Sequence, residues 1–385
     1  MRQRSAIRNW AEYLGLRGVS ATLTCFPPEQ NLHTAAAIGS AFFRAGKSRA
    51  QRAIDNIQQS FPDWTPEECE HVAEASMQHM FQLFLVDALF MPRLITPTTW
   101  PRHVEIGDVQ RALELLEPGR PALLFTGHCG NWELLGYTLA MLGFPMSALA
   151  RPLDNPLLNR WLLGIREARG LKIITKFGAT PAMHETLLRG DLVGFIADQN
   201  AGDGGLFVPF LGRLASSYKS IGLLAMRYRT PVIAGIAVRR DQTMRYRFVS
   251  PDVILPQEWD EQPDPLFYIT ARVNRAMESM IREAPSQYLW IHRRWKSRPR
   301  HERRGQKFPA PLRRKIESLP WMTDDEVARI IEHSERESAR QRGGDVGTTA
   351  AAAVPTITVE PGAGSTAPPR VDPSPSEPAS TGASS

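Results

Sequence analysis

Residues 121–135 read PALLFTGHCGNWELL, and the order of residue types in that stretch sets the fold class. Ala122–Phe125 is an unbroken apolar run of strand length, and Thr126–Asn131 is a glycine-bearing turn. An apolar-periodic helix follows from Trp132. Asn131 can cap that helix, because its side-chain oxygen can accept from the first free amides. A buried strand turning directly into a helix is a building unit of α/β folds. His128 then stands in the loop at the C-terminal end of a strand, and Glu133 in the first turn of the next helix. Ligand sites of open α/β sheets gather at that edge.

Short apolar runs continue to alternate with amphipathic segments downstream. Strands are predicted at Met146–Ala150, Lys172–Thr175, Leu192–Ala197, Val232–Val238 and Tyr246–Val249. Helices are predicted at Leu157–Glu167, Ala182–Arg189, Ser217–Tyr228 and Leu266–Ile281. The class is therefore α/β, with a mixed, largely parallel sheet flanked by helices over residues 120–300. Residues 1–95 form a helical N-terminal region, with apolar steps of three and four in Ile7–Leu14, Ala35–Phe43 and Val72–Phe90. Thr65-Pro66-Glu67-Glu68 supplies a capping hydroxyl, a proline at the first helical position and a glutamate at the third. Met91-Pro92 is the expected end of that helix. Residues 1–318 read as one domain and 319–342 as a terminal helix. Residues 343–385 hold no aromatic residue and are rich in Pro, Thr, Ser and small residues, which predicts a disordered C-terminal tail.

Hydrophobic residues make up 42% of the 385, enough for a sizeable core. The 46 Lys and Arg exceed the 40 Asp and Glu, for a net charge of +6. Much of the excess sits in residues 292–315, HRRWKSRPRHERRGQKFPAPLRRK. Such a run suits anionic lipid at a cytoplasmic leaflet or an acidic carrier protein; nucleic acid is not the expected partner. Cys25, Cys69 and Cys129 are too few and scattered for a disulfide framework, which fits a reducing compartment. No uninterrupted apolar stretch long enough for a secretory signal or a spanning helix is visible. A membrane contact would be made by lying on the surface.

The His128–Glu133 spacing makes chemical sense for acylating a hydroxyl. Histidine can take the hydroxyl proton near neutrality, and a nearby carboxylate can hold the tautomer and stabilise the charged ring. Gly127 and Gly130 are expected to keep the loop open for a bulky substrate. Cys129 reads as a small buried residue rather than a nucleophile, because adjacent residues seldom aim at each other. The serine hydrolase elbow, a P-loop and metal-ligand spacing are all absent.

GHCGNWE resembles the HX4E form of the catalytic motif in the lipid A lauroyl/myristoyl acyltransferase family, within the lysophospholipid acyltransferase superfamily. Further blocks agree in order. Arg151-Pro152-Leu153-Asp154-Asn155-Pro156 leads to Trp161, Arg166 and Gly170. Gly190-Asp191 leads to Asp198-Gln199-Asn200, Gly204-Gly205 and Phe207-Val208-Pro209-Phe210. Gln287-Tyr288-Leu289-Trp290-Ile291-His292-Arg293-Arg294-Trp295-Lys296 is similar to the closing signature.

The resemblance implies a glycerolipid-acyltransferase-like fold, with His128 as general base and Glu133 as its partner. It implicates Arg166 and Asp198 in substrate binding or catalysis, with Arg166 suited to a phosphate or developing oxyanion. The implied reaction moves a fatty acyl group from acyl-ACP or acyl-CoA to a hydroxyl of a lipid A precursor or similar glycolipid, with no metal or organic cofactor. The implied location is the cytoplasmic face of the bacterial inner membrane, peripheral or monotopic. The Cys-Gly-Asn-Trp between His128 and Glu133 departs from the bulky aliphatic residues of many lipid A enzymes. It also appears in relatives that acylate phosphatidylinositol mannosides, so that acceptor is the alternative, and lipid ester hydrolysis is another.

Overall fold

The computed structural model describes residues 5–175 and 178–342; the expected tail, residues 343–385, lies outside them. Among the described residues, eleven strands run in chain order: β1 (Val104–Ile106), β2 (Ala122–Thr126), β3 (Met146–Ala150), β4 (Lys172–Thr175), β5 (Leu192–Ile196), β6 (Leu206–Phe210), β7 (Arg213–Ser217), β8 (Val232–Ala234), β9 (Ile236–Arg239), β10 (Tyr246–Val249) and β11 (Val253–Ile254). The central sheet has the order β11-β8-β2-β5-β3-β4. Its pairings are parallel except β11 on β8, so the mixed, largely parallel sheet expected from sequence is present.

β2 is buried along its whole length and β5 along nearly all of it, which is why both read as continuous apolar runs. Alternate residues serve opposite faces. Leu123, Phe125, Val193 and Phe195 join a large core with Ile57, Met77, Phe267 and Met280 from the N-terminal helices and the Pro265–Glu283 helix. Ala122, Leu124, Leu192 and Ile233 pack on the other face with Ala140, Met146 and Leu171. The sheet is thus covered by helices on both sides.

The N-terminal region is helical, at Ala6–Leu23, Pro28–Ala45, Lys47–Ser60 and Pro66–Gln82. Thr65 and Glu68 form the reciprocal cap, with Glu68 N–H donating to Thr65 Oγ1 at 3.2 Å and Thr65 N–H to Glu68 Oε2 at 2.7 Å. The helix does not stop at Met91-Pro92. It widens into a π turn at Leu83–Asp87 and runs on to Leu94, with Pro92 inside its last turn. The wide turn leaves Asp87 facing the core at 2% exposure.

The expected strand Val232–Val238 is two strands. β8 belongs to the central sheet and β9 to a second sheet of order β1-β10-β9. Gly235 is the switch: its amide still donates to Phe125 O at 3.0 Å, and the chain then crosses to the other sheet. The helix expected from Ser217 begins at Ser220, because Arg213–Ser217 pairs antiparallel with Leu206–Phe210 as a hairpin. Periodicity did not separate these short runs from their neighbours.

Candidate active site

β2 and β5 lie side by side in parallel, with Thr126 opposite Ile196. Parallel neighbours deliver their following loops to the same edge, so the residue two past each strand end, His128 and Asp198, meet there although 70 positions apart. Asp198 accepts from the ring at 2.7 Å (Nδ1 to Oδ1) and from the His128 backbone N–H at 3.0 Å (to Oδ2). Asp198 is fully buried, and the His128 side chain is 15% exposed.

The electrostatics follow from this contact. Burial by itself would raise the Asp198 carboxyl, but the charges and hydrogen bonds of His128, with the charge of His292, hold it well below the usual carboxylate range. Burial likewise opposes charge on His128, yet the Asp198 carboxylate outweighs it and the ring pKa is raised above 6.5. An ionised carboxylate can only accept, so Nδ1 carries the hydrogen and Nε2 keeps a lone pair. Trp132 stands edge-on to the ring with centroids 4.9 Å apart, and His292 lies 5.9 Å away.

Glu133 is placed differently from the expectation that it orients His128. It faces Arg166, whose Nε–H donates to Oε2 at 2.8 Å and whose NH2 donates to Oε1. Glu133 acts on the His128 ring through its charge alone, behind Asp198. The reason is geometric. Glu133 is on the first turn of the Trp132–Met141 helix and Arg166 on the last turn of the Pro156–Glu167 helix, and these helices pack together. Arg166 is accordingly engaged by a carboxylate. Of the four expected site residues, Asp198 meets His128 and Arg166 meets Glu133, whereas sequence had paired only His128 with Glu133.

The loop itself is fixed from several sides. Asn131 caps the helix, its Oδ1 accepting from Leu134 N–H at 2.9 Å, and its Nδ2 donates to Asp87 at 2.8 Å. Asp87 is paired in turn with buried Arg239. Gly130 has φ +57°, and a Cβ there would lie 2.3 Å from Ala237 O. Its glycine is therefore required by the backbone packed beneath it rather than by an approaching substrate. Cys129 is fully buried and burial pushes its thiol up to about 12, so it is no nucleophile.

The closing signature holds the loop as well. Leu289 N–H donates to His128 O at 2.9 Å and Gly130 N–H to Gln287 O at 3.0 Å. Gln287 also bridges Arg239 through both ends of its amide, at 2.9 Å each. Arg294 is 1% exposed and reaches Ser217 Oγ at 2.6 Å and Gln199 O at 3.4 Å, bracing the Asp198 loop. The basic run is thus less of a surface than its composition suggested. Arg294 and Arg298 are drawn inside, Arg298 onto Glu302 at 2.6 Å. Arg303, Arg313 and Lys315 face Asp203, Glu317 and Asp264. Arg293, Lys296, Arg300, Arg304, Lys307 and Arg314 remain exposed.

Beside the dyad opens an apolar cleft of about 1160 Å³, its open mouth included. Leu124, Gly136, Leu139, Met146 and Ile233 line its body, and Thr126, Trp132, Glu133 and Arg166 carry polar or aromatic groups into the wall. Thr126 and Trp132 bracket His128 in the chain, and the Trp132 ring stands 4.9 Å from the imidazole. Among the described residues, no group of three or more His, Cys, Asp and Glu side chains could hold a metal ion.

An imidazole held by a buried carboxylate, with Trp132 joining it to the wall of an apolar cleft, suits acyl chemistry, and the family comparison agrees. The profile of bacterial lipid A biosynthesis acyltransferases matches residues 1–297. The chain belongs to that family. It is an acyltransferase. The lipid A biosynthesis lauroyltransferase of Escherichia coli (strain K12) is 24% identical over 299 residues, covering 76% of this chain and 93% of the relative. A lipid A biosynthesis acyltransferase of Haemophilus influenzae is 25% identical over 304 residues, with the same coverage of 76% and 93%. The lipid A biosynthesis myristoyltransferase of Escherichia coli (strain K12) is 22% identical over 296 residues, covering 76% and 88%. Residues from about 298 onward, including the Asp324–Arg342 helix, lie beyond the family match.

Proposed function

We propose that this acyltransferase moves a fatty acyl group from a thioester, acyl-ACP or acyl-CoA, to a hydroxyl of a lipid A precursor or similar glycolipid at the cytoplasmic face of the inner membrane. The observation that carries the reading is the His128–Asp198 pair beside the apolar cleft. The acyl chain lies in the cleft, which brings its carbonyl to the mouth near Thr126 and Trp132. The acceptor hydroxyl gives its proton to His128 Nε2 as its oxygen attacks the thioester carbon. The C–S bond then breaks, the ester remains on the acceptor, and the imidazolium returns its proton to the departing thiolate. Asp198 keeps the hydrogen on Nδ1 and stabilises the ring while it is charged. Glu133 and Arg166 brace the cleft mouth as a pair, and Glu133 adds negative potential to the ring.

Surface features support attachment to a membrane. Among the described residues no helix is long and apolar enough to cross one. The Ala6–Leu23 helix buries none of its residues, and Ile7, Trp10 and Leu14 are 83%, 52% and 59% exposed. Apolar residues at that spacing suit an interfacial helix, and the exposed cations of residues 292–315 suit anionic headgroups.

The test is purified protein with acyl-ACP or acyl-CoA, with and without a lipid A precursor, read by mass spectrometry. An ester on the acceptor, lost in His128→Ala, is the expected product. Fatty acid release indifferent to acceptor would make the protein a hydrolase and sink the reading.

A further inference from the structure

A second cavity, about 960 Å³ with its mouth included, lies between the core and the Asp324–Arg342 helix. It shares no lining residue with the apolar cleft. One wall is the turn after β6 and the start of β7, and another is the Pro265–Glu283 helix. The outer wall is the terminal helix, which presents Glu326, Arg329, His333 and Arg336 at three- and four-residue steps, hence on one face.

The charges in this cavity do not balance. Its lining contains Arg213, Arg275, Arg282, Arg329 and Arg336 against Glu278, Glu326 and Glu332. Glu278 and Glu326 both bind Arg275, at 3.2 and 2.9 Å, and Glu278 also accepts from Leu211 N–H at 2.8 Å. Glu332 lies 3.7 Å from Arg336 on the outer rim, where both are exposed.

Arg213 is the deepest cation, at 3% exposure. Its guanidinium reaches only neutral acceptors: Gln59 Oε1 at 2.9 Å, Ser60 Oγ at 3.1 Å and Asn56 O at 3.3 Å. One face lies over Trp295 at 3.4 Å, and its buried Nε has no hydrogen-bond partner. Burial and the neighbouring Arg298 push its pKa down to about 9, outweighing the opposing influence of Tyr288 and Glu337. His333 shows the same field: burial, then Arg298, Arg213, Arg336 and Arg340, push it down to about 3.

A buried cation hydrogen-bonded to no carboxylate is costly, and a concave low-dielectric wall concentrates the field of the others toward its opening. Guanidinium forks match phosphoryl oxygens in pairs. We propose that this cavity binds a small polyanion carrying phosphoryl groups, as an accessory site separate from the acyl-transfer cleft. Its outer wall lies beyond residues 1–297, the span that the family profile matches. The proposal does not depend on the donor or acceptor assigned above.

Inorganic pyrophosphate is the probe, titrated calorimetrically into the full-length protein. Saturable binding at one site per chain is expected, and raised salt weakens it. Arg329→Gln/Arg336→Gln removes two rim cations on an exposed helix face, and its affinity should drop roughly tenfold or more. Its melting temperature serves as the control for folding. Arg213→Gln should abolish binding where it folds. His128→Ala should bind as the wild type does.

No saturable binding to the wild type, or equal binding by the double variant, overturns the proposal. So does loss of binding in His128→Ala, which would put the anion in the active cleft. Flotation with phosphatidic-acid vesicles then separates the natural sources. Release of the protein by pyrophosphate identifies a lipid headgroup at this site; flotation unaffected by pyrophosphate identifies a soluble ligand.

Discussion

Asp198 grips His128 at two points, with one carboxylate oxygen 2.7 Å from ring Nδ1 and the other 3.0 Å from the same residue's backbone amide. The double contact fixes the imidazole and the loop that carries it together. The backbone contact holds the carboxylate in place, so its other oxygen stays aimed at ring Nδ1. One carboxylate therefore sets the tautomer, the orientation and the basicity of the proposed base.

Asp198→Asn should leave the fold intact and lower acyl transfer by roughly 10³–10⁴-fold, as loss of the carboxylate does in comparable His–carboxylate pairs. The base must be unprotonated to act, and the ring pKa is raised above 6.5. Wild-type activity should thus fall as pH drops through a value above 6.5. In Asp198→Asn, burial of the ring is no longer outweighed by this carboxylate, and the residual activity should show its acidic limb at lower pH. A pH–rate profile of both proteins checks this, and coincident limbs would contradict it.

Glu133 and Arg166 should behave as a unit. Their side chains are 12% and 18% exposed, so removing one leaves the other charged and poorly solvated. Glu133→Gln and Arg166→Gln should each cost about 2–3 kcal/mol of stability, and the double variant less than the sum. Thermal unfolding of the four proteins completes the cycle. Additive losses would show that the pair is not coupled.

Gly136 faces the cleft from the Trp132–Met141 helix, and a Cβ there would meet Leu171 at 3.5 Å and Met146 at 3.9 Å. Gly136→Ala is expected to be tolerated, since alanine favours a helix over glycine by about 0.5–1 kcal/mol. Gly136→Leu should fill part of the cleft and move the preferred donor toward shorter acyl chains. Competition between thioesters of different length measures the shift, and an unchanged preference would place the chain elsewhere.

His79 makes the core sensitive to acid. It is 6% exposed, its Nε2 lies 3.1 Å from Gly130 O, and burial together with Arg239 pushes its pKa down to about 4. The unfolded chain, near 6.5, binds the proton first. Stability from this group is therefore full above pH 6.5 and declines as pH falls toward 4, by about 3 kcal/mol in all. His79→Gln keeps a donor for the Gly130 carbonyl and should flatten the decline. Denaturant unfolding at several pH values tests it.

What local sequence determined here was local structure. The Thr65–Glu68 cap, the Asn131 cap and the strand–turn–helix around His128 all depend on hydrogen bonds and periodicity within a few residues. So does the place of Asp198 just past a buried strand. Resemblance in ordered blocks carried the reading on to an acyltransferase family.

Tertiary structure decided which of these groups touch. His128 meets Asp198 because β2 and β5 pair in parallel with Thr126 opposite Ile196, a register set by the whole sheet. Glu133 meets Arg166 because two helices pack, though only five positions separate Glu133 from His128. The break of Val232–Val238 at Gly235 and the burial of Arg294 also depend on distant partners. Periodicity reports how a segment meets the core but not which segment lies beside it, so the carboxylate that serves the ring became visible only in the assembled sheet.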